Sequence, residues 1–82
     1  MNDYHKDLFK TTDLVLAAAL ITLNKELLEM DRLSGTQFAF VFNILDNGIE
    51  QDFINGRLVV EPMRFSNNMK LLKSKIHARL RG

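Results

Sequence analysis

Cysteine is absent from this chain, which excludes disulfides, a thiolate nucleophile and thiolate metal sites together. Its four glycines never form the Gly-rich run that precedes a helix and cradles phosphates with a lysine. The longest apolar run, Leu14 to Ile21, falls far short of the roughly 20 residues that a membrane span needs. The opening Met1-Asn2-Asp3-Tyr4-His5-Lys6-Asp7 is polar and mixed in charge, unlike a signal peptide. Finally, no acidic residue follows Glu61. The lack of cysteine, of a membrane-length run and of a signal peptide predicts a soluble cytoplasmic protein with no transmembrane segment. The lack of acid after Glu61 directs attention to the C-terminal quarter.

What is present fits one small domain. Of the 82 residues, 46% are hydrophobic and 26% charged, inside the globular range and outside the disordered one. A chain this short buries only about 60–65% of its unfolded surface, so its stability is expected to be marginal. The net charge of +1 conceals a split. All ten Asp and Glu lie in residues 1–61, against five of the eleven Lys and Arg, so that part carries −5 and residues 62–82 carry +6. The tail therefore either pairs with an acidic body or meets an anionic partner.

The tail itself reads as a long amphipathic helix beginning at Pro62, which suits a first helical position and keeps Glu61 out of helical geometry. Phe65, Met69, Leu72, Ile76 and Leu80 recur in steps of four, three, four and four, which holds them on one narrow stripe.

Upstream, residues 1–11 read as a flexible lead-in anchored by Tyr4, Leu8 and Phe9, and residues 12–82 as a single domain. A first helix should start near Thr11-Thr12-Asp13. It is apolar nearly all round from Leu14 to Leu23, hence central and buried, and Asn24 suits a left-handed C-terminal cap. A β-hairpin follows. Leu28, Met30 and Arg32 alternate with Leu27, Glu29 and Asp31, Leu33-Ser34-Gly35-Thr36 turns, and Gln37 to Phe42 forms the second strand. Phe38, Phe40 and Phe42 share one of its faces, and a core role outweighs a base-stacking one for them. A middle helix has two possible starts, at Asn43 as N-cap or only after Gly48, because a glycine within a helix costs about 1 kcal/mol. Leu45, Ile49 and Phe53 give its period, and Asn55-Gly56 its stop. Arg57 to Val60 is either a third strand or an extended connector. The expected architecture is α+β: helix, β-hairpin, helix, short strand, long C-terminal helix, with the outer helices packed on the hairpin.

Several strings together resemble a small uncharacterised domain family of bacteria, archaea and their viruses. They are Thr12-Asp13-Leu14-Val15-Leu16-Ala17-Ala18, Phe40-Val41-Phe42, Asp52-Phe53-Ile54-Asn55-Gly56-Arg57-Leu58, Val60-Glu61-Pro62-Met63-Arg64-Phe65 and Leu71-Leu72-Lys73-Ser74-Lys75-Ile76. The resemblance covers roughly residues 12–77. It implies the domain extent and an accessory role on a phage or other mobile element, but no activity. Around Asn43 to Gly48 the chain looks shorter than the family pattern, which has an acidic helix start there.

No catalytic set emerges from the residues. Ser34, Ser66 and Ser74 lack a nucleophile-elbow context. His5 and His77 have no acidic orienter beside them and too few neighbouring ligands for a metal. Glu26, Glu29, Asp31, Glu50 and Asp52 read as solvated surface rather than an acid/base pair. The expectation is a protein that is not an enzyme and carries no cofactor or metal.

The basic helix is the better lead. With Phe65 at 0° and about 100° per residue, Lys73, His77, Lys70 and Arg81 fall along one flank of the apolar stripe. Arg64 and Lys75 fall on the other, and Arg79 borders the stripe. Such cations can track phosphates, with Ser66, Asn67 and Asn68 adding neutral hydrogen bonds. The plain alternative is a solvated C-terminal helix whose cations suit its dipole. The leading expectation is nucleic-acid binding through Arg64, Lys70, Lys73, Lys75, His77, Arg79 and Arg81. The competitor is a homodimer or partner-binding adaptor using the hairpin edge, Met63 and Leu71. A weaker third is a peripheral membrane helix.

Overall fold

A computed structural model describes residues 8–44 and 48–81. The expectations placed on Tyr4, His5, Leu45 and Asn47 lie outside the described residues. The element order is β1 (Leu8–Thr11), α1 (Leu14–Thr22), β2 (Leu27–Ser34), β3 (Gln37–Asn43), α2 (Ile49–Ile54) and α3 (Pro62–Arg81). The fold is α+β, with an antiparallel three-stranded sheet ordered β1-β3-β2.

Of the two readings of residues 57–60, the structure takes the connector. The sheet is completed by Leu8–Thr11, which the sequence assigns to the lead-in. Phe9 lies opposite Phe42 and Thr11 opposite Phe40, so Phe9 joins the phenylalanine face and is buried. The stretch is too short for period two to show: in Leu8-Phe9-Lys10-Thr11 only one side chain ends in the core.

The helices start and stop where side chains and backbone can satisfy their free groups. Asp13, rather than either threonine, caps α1: its Oδ1 accepts from the Val15 N–H at 2.9 Å and the Leu16 N–H at 3.1 Å. Thr11 Oγ1 instead accepts from the Asp13 N–H. At the other end Asn24 takes φ +66°, and the Asn24 and Lys25 N–H groups donate back to the Ile21 and Leu20 carbonyls. The middle helix begins after Gly48, whose φ of +92° suits glycine, while Asn43 closes β3. It stops at Asn55-Gly56 by the same backbone pattern.

Glu61 caps α3. Its two carboxylate oxygens accept from the Met63 and Arg64 N–H groups, each at 2.9 Å. Those two backbone bonds hold its pKa below the ordinary 4.5, with a small opposing contribution from desolvation and a further lowering by the Arg64 charge. Because the folded value lies below the unfolded one, the ionised cap stabilises the fold above the unfolded pKa. That contribution disappears as pH falls through the folded pKa. Glu61→Gln is therefore expected to melt below the parent at pH 7, with the gap closing under acid conditions. Thermal melts by circular dichroism across that range check it; a gap independent of pH contradicts it.

One hydrophobic cluster holds most of the described core. Leu16, Ala17, Ala18 and Leu20 of α1 meet Phe38, Phe40 and Phe42 of β3, Met30, Phe9, Ile44 and Leu72 of α3. The phenylalanines are thus core and not a stacking surface. The alanines let α1 lie close against α3, as their size predicts. Asn68 donates to Thr22 Oγ1 at 3.0 Å, and that hydroxyl donates to the Ala18 carbonyl at 2.7 Å, so the buried threonine is fully paired.

Strand β2 departs from simple alternation. Leu27, Met30 and Arg32 stand opposite Phe42, Phe40 and Phe38, with register irregularities at Leu28 and Leu33. These bulges leave Leu28 and Leu33 exposed and put Leu27, not Leu28, against the core. No helix among the described residues is long and apolar enough to cross a membrane.

Candidate nucleic-acid interface

Helix α3 is oriented by its apolar stripe. Leu72 is wholly buried, and Phe65, Met69, Ile76 and Leu80 pack against the core around it. That fixes the rotation of the helix and therefore the direction of every cation on it. It also removes the apolar face that a peripheral membrane helix would insert, since the same stripe already contacts the protein's own core.

The seven residues expected at the interface divide into two groups. Lys70, Lys73, His77 and Arg81 are exposed along one flank, in steps of three, four and four. At 1.5 Å per residue the row is about 16 Å long. Arg64, Lys75 and Arg79 lie on the other flank, where α1 and β2 adjoin the helix. Arg64 donates to Asn24 Oδ1 at 3.2 Å, across the end of α1. Arg79 donates to the Met30 carbonyl of β2 at 2.9 Å, and its guanidinium sits 5.4 Å from the Phe38 ring centroid. Arg79 therefore ties the end of α3 to the sheet. Asn68, proposed as a neutral contact, faces Thr22 instead.

Internal neutralisation was the main threat to a basic interface. The ion pair among the described residues is Arg57–Asp52 at 3.4 Å, and no cation of α3 pairs with a described carboxylate. The acid-free composition of the helix keeps its own turns from supplying a partner. Lys70, Lys73 and Arg81 of that row therefore present to solvent positive charge that no described carboxylate pairs with.

A concavity beside the helix is not legible in the local pattern of residues. A groove of about 420 Å³ lies between Leu27, Leu28, Glu29 and Met30 of β2 and Lys75, Ala78 and Arg79 of α3. It exists because α3 passes beside the β2 edge, a relation that no local pattern encodes. Along that edge Arg79 donates to the Met30 carbonyl, and register irregularities fall at Leu28 and Leu33. No group of three or more His, Cys, Asp or Glu that could hold a metal ion occurs among the described residues. Comparison with known proteins finds no matching family model, no similar curated protein and no similar solved structure.

Proposed function

We propose that this chain is a non-catalytic nucleic-acid-binding accessory protein that holds phosphates with the exposed flank of α3. The observation that carries the reading is the alignment of Lys70, Lys73, His77 and Arg81 on one exposed flank, unpaired with any described carboxylate. Affinity would come from phosphate neutralisation and counterion release, with little sequence preference. The resemblance noted in the sequence would make it a protein of a phage or other mobile element, and the composition would place it in the cytoplasm.

Fluorescence anisotropy with labelled nucleic acid at several salt concentrations tests this. The expected result is binding at low salt that weakens steeply as salt rises. Replacing Lys70 and Lys73 by alanine should flatten the slope of log K against log salt by about 1.4–1.8, at roughly 0.7–0.9 per lost phosphate contact. Binding insensitive to salt, or an unchanged slope in the double variant, rejects it.

A second reading, a protein-interaction module, draws on exposed apolar residues: Val59 is 83% and Met63 70% exposed. A homodimer joined through the β2 edge is opposed by the bulges and by Arg79, so a protein partner would use these side chains or the β2–α3 groove. Light scattering coupled to size exclusion separates a self-association from a monomer.

A further inference from the structure

We infer that the nucleic acid held by α3 is duplex DNA, with the outer line of the helix seated in the major groove. This deepens the phosphate-binding reading and rests on it. Opposite the buried stripe, at about 180–240° from Phe65, run Asn67, Leu71, Ser74 and Ala78. All four are exposed, none is charged, and three are small or short. Lys70, Lys73, His77 and Arg81 flank this line on one side, and Arg64 and Lys75 on the other.

A neutral ridge with an open cationic row along one side matches a groove floor beside a phosphate backbone; on the other side Arg64 is held by Asn24 and Lys75 borders β2. The B-form major groove is about 12 Å wide and admits an α-helix, whereas the A-form groove of RNA is too narrow to be entered. The row of Lys70, Lys73, His77 and Arg81 runs for roughly 16 Å along the helix axis, so it can follow one phosphate backbone of that groove. Asn67 and Ser74 can hydrogen-bond to base edges, and Leu71, 46% exposed, can contact thymine methyl groups.

Single strands are a poorer fit for a separate reason. Their recognition leans on aromatic side chains that stack bases. Here Phe9, Phe38, Phe40 and Phe42 are buried, and Phe53 and Phe65 pack on the core. The chain has no tryptophan. No exposed aromatic side chain is present among the described residues.

The test is anisotropy of the full chain with a DNA duplex, one of its separated strands, and the RNA duplex of the same sequence, at equal low salt. DNA duplex is expected to bind more tightly than either by about tenfold, as shape and groove contacts add to charge. Leu71→Glu and Ser74→Glu, placed on the exposed ridge, should each weaken duplex binding about tenfold or more through repulsion of the phosphates. Their melting curves should stay close to the parent's. Strand or RNA duplex binding as tight as the DNA duplex overturns the inference while leaving the phosphate reading in place. So does unchanged duplex affinity in both ridge variants. Failure of all three probes to bind removes both.

Discussion

Phe9→Ala is expected to destabilise the protein by about 3 kcal/mol or more, within the range for a buried phenylalanine. Phe9 is 8% exposed and lies opposite Phe42 in the β1–β3 ladder, so its removal leaves a void beside the centre of the core. A domain of 82 residues has only about 4–12 kcal/mol in total, so this is a large fraction. Its neighbour provides the control. Lys10 points to the opposite face, opposite Val41, and is exposed, so Lys10→Ala should stay within about 0.5 kcal/mol. Urea denaturation of the two variants measures the difference. Should both unfold at the parent's midpoint, β1 does not belong to the folded unit.

Leu72→Ala should be comparably severe, at about 2–5 kcal/mol. Leu72 is 0% exposed, and it is the residue of α3 that enters the central cluster, among the α1 alanines and the β3 phenylalanines. The adjacent Leu71 is 46% exposed on the outward face, so Leu71→Ala should cost little by comparison. One step along the helix separates a core side chain from a surface one, because each residue turns the direction by about 100°. The pair of variants thus reads the rotation of α3 directly. Equal losses for both would mean that the helix is seated differently. The consequence extends to binding, since the cations of α3 take their direction from the same seating.

How the fold divides between local pattern and long-range contact can be seen element by element. The Phe65–Met69–Leu72–Ile76–Leu80 stripe, the buried helix over Leu14–Thr22, the Asn24 and Asn55-Gly56 stops and the phenylalanine strand are all legible in the chain. Each depends on interactions within a turn or two, where residue type and spacing carry the information. The caps show a finer limit. Sequence places polar residues at the start of α1, but whether Thr11 or Asp13 receives the N–H groups depends on where β1 ends.

By itself, then, the sequence determined the α+β class, the orientation of the last helix about its own axis, and the concentration of positive charge upon it. Tertiary structure decided the rest. Leu8–Thr11 became a strand because β3 offered it an edge, Leu28 was expelled by a bulge in the ladder, and Arg79 was drawn to a carbonyl 49 positions away. The physical reason is common to all three. Such choices are settled by partners distant along the chain, and a side chain's spacing from its sequence neighbours holds no record of them.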